Sequence, residues 1–234
     1  MFEKLLEDTS FWSGEGQLSD TVLSTRLRIV RNQADIPFGP NQSDDDTRKI
    51  ENPVTEYISS MAQDGLVMMH IRDIEPLDRR FLRERNIIPE SAENSTAASL
   101  VYMPGSRFTM TVNAADHYKF QVIRPGLALY ECYGEIVDAD DELNRYVPYA
   151  FSEVYGYLTS SIDHTGTGLR ASVLMHLPVC AIMLHVTETA ITDRSIWSRT
   201  VSRSAGANPI CWKSLMTLPA WLPVLKRNPG TITL

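Results

Sequence analysis

The sequence predicts a domain that combines β-strands with α-helices. Four runs have the apolar content or the alternation of strands: 22–32, 99–103, 108–112 and 169–177. The second and third runs flank Pro104-Gly105, a turn signal that is typical of a paired hairpin. Helices are predicted at 53–61, where apolar residues recur at helical spacing behind an Asn-Pro cap, and at 76–85.

Composition limits the classes of protein to which this chain can belong. Its 234 residues, of which 43% are hydrophobic, are enough for one sizeable domain. A net charge of -7 argues against a nucleic-acid or anionic-membrane surface but allows a local basic pocket. Neither a signal peptide nor a membrane span is evident. Cys132, Cys180 and Cys211 form no metal-ligand pattern and suit a reducing cytoplasm, where we expect the protein.

The most informative stretch runs from Gly166 to Pro178. Two glycines around Thr167 allow a tight turn that approaches a ligand closely. The strand that follows presents Arg170 at its first exposed position, where a planar cation can hold an anionic ligand. For an isolated Gly-x-Gly, an ordinary loop entering a core strand is the better explanation.

A second basic run lies near the N-terminus. Strand alternation places Ser24, Arg26 and Arg28 on one face of the 22–32 run. Neighbouring arginines repel each other, so the arrangement makes sense if a polyanion bridges them. A solvated edge strand with basic residues explains the pattern equally well.

Both runs resemble motifs of the phosphagen (ATP:guanidino) kinase family, above all its bacterial protein-arginine kinases. Gly-Thr-Gly-Leu-Arg-Ala-Ser-Val at 166–173 is similar to the family's glycine turn and phosphate-binding strand. Ser-Thr-Arg-Leu-Arg at 24–28 is similar to its Ser-Ser-Arg-x-Arg motif, and Pro37-Phe38 follows in the expected order. The resemblance covers roughly residues 12–180.

The resemblance implies an α+β fold: an antiparallel sheet flanked by helices, of the guanidino kinase catalytic-domain type, truncated at its C-terminal end. We expect a lead-in segment at 1–20, the partial catalytic domain at 21–182 and a non-family tail at 183–234. The tail lacks a sustained period and contains repeated prolines. We interpret it as sequence from outside the ancestral reading frame; the alternative is an extension that packs on the sheet.

The family further implies that ATP is the ligand and that Mg²⁺ arrives with its phosphates, without a metal site in the protein. Asn86 stands where the family has a nucleotide-contacting histidine. Arg26, Arg28 and Arg170 are the main candidates for binding the nucleotide. The full predicted nucleotide-binding set is Ser24, Thr25, Arg26, Leu27, Arg28, Asn86, Lys119, Arg170, Ala171, Ser172, Val173 and Leu174.

The segment 112–121 resembles the family's Val-Asn-Glu-Glu-Asp-His-Leu-Arg but lacks both glutamates. Ala114 and Ala115 occupy their positions, and Lys119 replaces the family's arginine. A guanidinium must be held in line and must lose a proton as it attacks phosphorus. Carboxylates do both, and methyl groups do neither. We therefore expect catalysis to be impaired or lost.

Three other features complete the site prediction. Ser161 replaces the cysteine of the family's Thr-x-Cys-Pro pattern, so no catalytic residue is intact. His164 lies in the same loop, and we assign it no role. The acidic residues at 138–142 are interpreted as a solvated helix end rather than a metal site.

Three functions remain open. The chain is a working phosphotransferase acting on protein arginines, a pseudoenzyme or remnant that keeps nucleotide or partner binding, or an interaction protein of a quality-control complex. The expected partners are ATP, protein arginines or a quality-control protein, and neither nucleic acid nor membrane. Exposed sheet edges would also favour homo-oligomers.

Overall fold

The computed structural model describes residues 14–39, 42–60, 65–103, 107–176 and 211–213. Its strands are β1 Val22–Arg31, β2 Val67–His70, β3 Ser99–Tyr102, β4 Phe108–Val112, β5 Tyr118–Pro125, β6 Phe151–Ser152, β7 Gly156–Tyr157, β8 Leu169–Met175 and β9 Cys211–Lys213. Its α-helices are α1 Asp44–Ser60, α2 Pro76–Glu84, α3 Glu90–Glu93 and α4 Leu129–Asn144. Short 3₁₀ turns span Ile71–Asp73 and Ile162–His164.

The main sheet has the strand order β2-β3-β4-β5-β1-β8-β9, and β6 pairs with β7 in a separate hairpin. Strands β2 to β5 pair in antiparallel fashion, each with its neighbour in sequence. The predicted turn at Pro104-Gly105 lies outside the described residues, and the strands on either side of it, β3 and β4, form an antiparallel pair. An antiparallel sheet with flanking helices confirms the α+β prediction.

Helix α1 begins at Asp44, nine residues before the predicted start at Pro53. Ser43 and Asp46 cap it reciprocally: the amide of Asp46 donates to Ser43 Oγ at 3.2 Å, and the amide of Ser43 donates to Asp46 Oδ2 at 3.1 Å. Three aspartates in the first turn suit the positive end of the helix dipole. These signals outweigh Pro53, which the helix accommodates in its interior.

The chain divides into two compact units, and the described residues of the first come from Leu27–Val122 and Tyr133–Arg170. Its core contains fully buried side chains from helices and strands: Ile29, Ile50, Val54, Leu82, Leu100, Met110, Phe120 and Ile136. Tyr118 on β5 donates its hydroxyl proton to the carbonyl of Ile50 on α1 at 2.9 Å. The predicted burial of Val54 and Tyr57 is confirmed; Ile58 is half-buried, and Met61 lies outside the described residues.

The second unit takes its described residues from Ser10–Arg26, Ile123–Cys132 and Ala171–Leu234. Thr25 Oγ1 donates to the carbonyl of Gly126 at 2.6 Å and accepts from the amide of Ala128 at 3.1 Å. Strand β9 pairs with Val173–Met175 at one end of the sheet. The predicted tail otherwise lies outside the described residues, as do residues 1–13, so the domain boundaries remain predictions.

Candidate active site

Three half-buried cations lie on adjacent strands of the first unit. The amide of Val30 on β1 donates to the carbonyl of Gly168 at 3.0 Å, so antiparallel register sets Arg28 opposite Arg170 on β8. Lys119 lies on β5, the other neighbour of β1 in the sheet. Its neighbours Tyr118 and Phe120 are buried in the core, so Lys119 emerges on the opposite face. We call Arg28, Lys119 and Arg170 the basic cluster.

The glycine turn holds the start of β8 against β1. Gly166 and Gly168 have φ values of +117° and +65°. A Cβ at Gly168 would lie 2.5 Å from both the carbonyl oxygen of Val30 and Nη1 of Arg31. The sequence predicted that the turn approaches a ligand, whereas the close approach at Gly168 is to the protein's own strand.

Arg31 is fully buried on the core side of β1. Its Nη2 pairs with Asp140 Oδ2 on α4 at 2.6 Å, and its Nη1 donates to the carbonyl of Thr167 at 2.8 Å. The guanidinium carbon lies 3.7 Å from the centre of the Tyr157 ring. Arg31 therefore links α4, the β6–β7 hairpin and the glycine turn.

The interpretation of the acidic residues at 138–142 as a solvated helix end is wrong for Asp140. Its carboxylate is buried, which raises its pKa, while the charge of Arg31 acts in the opposite direction. The sequence carried a signal for this burial: Asp140 shares a helix face with Ile136 and Leu143, both fully buried.

The positions of the missing glutamates lie at the tip of the β4–β5 hairpin. The amide of Asn113, at φ +54°, donates to the carbonyl of His117 at 2.9 Å, and the amide of Ala114 donates to the carbonyl of Asp116 at 3.1 Å. Ala114 is half-buried and Ala115 is exposed. The tip is therefore an ordered turn, with methyl groups at both positions.

Asn32 and Asp116 fasten this tip to the loop that contains Ser161. Asn32 Nδ2 donates to Asp116 Oδ1 at 2.8 Å, while its Oδ1 accepts from the amide of His117 at 2.8 Å. The amide of Ser160 donates to the same Asp116 oxygen at 2.7 Å. The hydrogen bond from Ser160 to Asp116 thus holds the loop that contains Ser161 against the hairpin tip.

His117 is a structural residue. It is fully buried, and its Nδ1 accepts from the amide of Gln33 at 2.9 Å. The remaining nitrogen, Nε2, therefore carries the proton and donates to the carbonyl of Pro37 at 3.0 Å. Burial lowers the pKa of His117, which keeps the ring neutral at neutral pH.

Comparison with known proteins identifies the family. The sequence pattern described as "ATP:guanido phosphotransferase, C-terminal catalytic domain" matches residues 49–202. This chain belongs to the ATP:guanido phosphotransferase family. The match extends past the predicted start of the tail at 183.

Curated relatives in the family are named protein-arginine kinase. One from Brevibacillus brevis is 38% identical over 174 residues, 73% of this chain and 49% of the relative. One from Bacillus subtilis is 33% identical over 177 residues, 74% of this chain and 49% of the relative. The chain spans about half the length of these relatives.

Two solved kinase structures share the fold. A lombricine kinase has a TM-score of 0.63 at 18% identity and covers 75% of this chain, which covers 53% of that one. A duplicated taurocyamine kinase from Schistosoma mansoni, with bound transition-state analogue components, has a TM-score of 0.61 at 21% identity. The match covers 69% of this chain and 25% of the taurocyamine kinase chain.

The other predicted nucleotide-binding residues of this family member lie at several places. Arg26 belongs to the second unit, where its Nε donates to Ser172 Oγ at 3.4 Å. Asn86 adopts φ +58°, and its carbonyl accepts from Gln121 Nε2 at 2.6 Å. Five predicted residues are buried: Ser24, Thr25, Leu27, Val173 and Leu174. Ala171 is half-buried.

Within residues 14–39, 42–60, 65–103, 107–176 and 211–213, no three histidine, cysteine or acidic side chains are grouped as a metal site would require. None of the helices described there has the length and apolar character needed to cross a bilayer.

Proposed function

We propose that this chain binds ATP at the basic cluster and transfers its γ-phosphoryl group to arginine poorly or not at all. The observation that carries the proposal is the hairpin tip, where Ala114 and Ala115 occupy an ordered turn beside the Ser160–Ser161 loop. The proposal separates nucleotide binding from phosphoryl transfer to arginine. Cations that suit phosphates are present, whereas the acidic pair is absent.

The basic cluster suits a triphosphate for electrostatic reasons. Arg28, Lys119 and Arg170 lie on three successive strands, on a chain whose net charge is -7. Arginine forks match phosphate oxygens, and partial burial strengthens these contacts. Mg²⁺ bound to the nucleotide would neutralise part of the phosphate charge when present.

The acceptor side lacks the groups that the transfer to arginine requires. A guanidinium remains protonated at neutral pH, so it needs a partner that orients it and accepts a proton. Asp116 is the carboxylate at the tip, and its Oδ1 already accepts from Asn32 and Ser160. Losing a positioned base costs about 10²–10⁴-fold in rate, and losing the orienting contacts adds to this.

The acceptor class comes from the relatives named protein-arginine kinase, which suggests arginine side chains of proteins.

The test pairs ATP-binding calorimetry with a phosphoarginine assay on the purified chain. We expect ATP to bind, and we expect phosphoryl transfer to arginine to be slower than in an intact relative. The double change Arg28→Ala and Arg170→Ala should abolish binding, whereas Arg145→Ala, at an exposed pair with Glu142, should leave it intact. Binding that survives the double change would contradict the proposed site.

Restoring the acidic pair provides a gain-of-function prediction. The double change Ala114→Glu and Ala115→Glu should raise arginine phosphorylation by about 10²-fold or more, because it returns a base and an orienting partner to an ordered tip. Ala114→Gln with Ala115→Gln is the matched control, since it adds similar volume without charge. Equal rates in both double variants would show that the missing carboxylates are not the cause of impaired transfer.

A further inference from the structure

We propose that His164 is a fourth member of the phosphate-binding site and takes up a proton when a polyphosphate binds. The proposal deepens the proposed function and rests on its ATP site. The side chain of His164 takes no part in the hydrogen bonds described above for the hairpin tip and the glycine turn. The proton comes from solvent and goes to the unprotonated nitrogen of the imidazole ring.

The backbone turns His164 inward. Residues Ile162–His164 form a 3₁₀ turn in which the amide of His164 donates to the carbonyl of Ser161 at 3.0 Å. Ile162 is 91% exposed and Asp163 is also exposed, whereas His164 is half-buried. The turn therefore presents its first two side chains to solvent and its third to the protein.

Both ends of the turn are fixed to the site. On one side, the amide of Ser160 donates to Asp116 at 2.7 Å. On the other side, Gly166 exchanges backbone hydrogen bonds of 2.8 and 3.1 Å with Tyr157. The glycine turn then leads directly into Arg170 on β8. His164 is thus held between the hairpin tip and the basic cluster.

Charged groups from four elements act on His164. These are Arg170 on β8, Arg28 on β1, Asp116 at the hairpin tip and Lys119 on β5. Burial, and then the positive charges of Arg170 and Arg28, lower the pKa of His164, and Asp116 acts in the opposite direction. The imidazole is therefore neutral at neutral pH while no anion is bound.

A polyphosphate reverses the sign of the local field. Its negative charges offset Arg28, Lys119 and Arg170, so the imidazolium form of His164 becomes favourable and its pKa rises. Because the bound state then holds a proton that the free state lacks, the association constant increases as pH falls through the bound-state pKa. The increase stops below the pKa of the free protein, and one coupled proton limits it to about tenfold per pH unit.

Titration calorimetry measures this proton directly. MgATP is titrated into the full chain near pH 7 in two buffers of different ionisation enthalpy, and the proton uptake is compared between wild type and His164→Asn. His176→Asn, at an exposed residue of the second unit, is the matched control. The γ-phosphate itself titrates near pH 6, so the difference between the proteins is the informative quantity. Inorganic tripolyphosphate replaces MgATP in a second series to separate phosphate from adenosine.

We expect wild type and His176→Asn to take up a fraction of a proton more than His164→Asn, with either ligand. The affinity of His164→Asn should fall below that of wild type at pH 6 and match it at pH 8. Equal proton uptake in the folded His164→Asn and wild-type proteins would overturn the role of His164 and leave the ATP site standing. His164→Gln repeats the comparison should the asparagine variant melt early, and absence of any MgATP binding would overturn both proposals.

Discussion

At Gly168, the lack of a side chain allows β8 to begin beside β1. The carbonyl of Val30 and the guanidinium of Arg31 both occupy the space that a Cβ would need. Because Arg170 is two residues further on, the position of a phosphate-binding candidate depends on this contact. The role of the glycine is therefore to position the protein's own residues.

The change Gly168→Ala should destabilise the fold and weaken ATP binding, because the new Cβ meets rigid backbone at 2.5 Å and φ is +65°. Gly134→Ala is the matched control, since a Cβ in this part of α4 has nothing within 4 Å. The control should gain about 0.5–1 kcal/mol in helix stability. Chemical denaturation of both variants checks this; an unaffected Gly168→Ala protein would contradict the packing account.

Arg31 and Asp140 form a buried ion pair, and Arg31 also donates a hydrogen bond to the carbonyl of Thr167 in the glycine turn. Replacing Arg31 with Met leaves the Asp140 carboxylate buried without its cation, which should cost about 3–5 kcal/mol in unfolding free energy. Arg145→Met removes a solvent-accessible pair with Glu142 at the C-terminal end of the same helix and should change stability little. Comparable losses in the two variants would refute the importance of burial.

At the scale of elements, the acceptor region depends on how the β4–β5 hairpin is tied to β1 and to the loop 158–165. Asn32 at the end of β1 makes three side-chain hydrogen bonds: to Asp116, to the carbonyl of Leu158 and from the amide of His117. This connection keeps Ala114 and Ala115 at a fixed place.

Asn32→Ala should therefore loosen the tip without unfolding the sheet. Hydrogen exchange at the amides of Ser160 and His117 should accelerate, because their acceptors are lost or released. Asn144→Ala, at an exposed position near the end of α4, should leave both amides unchanged. Unaltered protection in the Asn32 variant would show that other contacts hold the tip.

At the scale of the whole molecule, two histidines link stability to pH. The pKa of His117 is lowered by its burial, and that of His164 is lowered by burial and then by Arg170 and Arg28. The unfolded chain therefore binds more protons than the folded chain below about pH 6.5. Their contribution to stability is complete above that pH and is lost as pH falls through the lowered pKa values.

We expect the unfolding free energy to decrease between pH 7 and pH 5.5, and the decrease to be smaller in His117→Gln. Glutamine keeps an acceptor and a donor for the amide of Gln33 and the carbonyl of Pro37 but does not titrate. Denaturant titrations across this range measure the slope. The same slope in both proteins would exclude His117 as a source of acid sensitivity.

The features predicted correctly from the sequence are those that depend on neighbouring residues, such as strands and the face that each side chain occupies. Alternation correctly separated Arg28 from Leu27 on β1, and the two predicted strand runs on either side of Pro104-Gly105 form the antiparallel pair β3–β4. The start of α1 was missed because Pro53 is a strong local signal, while the Ser43–Asp46 cap lies in a stretch that looks like an acidic loop.

Long-range partners were beyond local pattern. Asp140 was interpreted as solvated because it lies in a run of acidic residues, and its partner Arg31 lies 109 residues away in sequence. Likewise, the cations around His164 come from three strands that only the fold brings together. Burial of a charge depends on such tertiary partners. The helix face of Asp140 indicated that its side chain is buried but did not identify Arg31 as its partner.

The central claim is that the site keeps its phosphate-binding cations and has lost the acidic pair that directs a guanidine. The most direct measurement is phosphoarginine formation by the purified chain with γ-labelled ATP, at an ATP concentration shown to saturate binding. The account predicts bound ATP and transfer at least about 10²-fold slower than in an intact relative. Arginine phosphorylation at the relative's rate would contradict it.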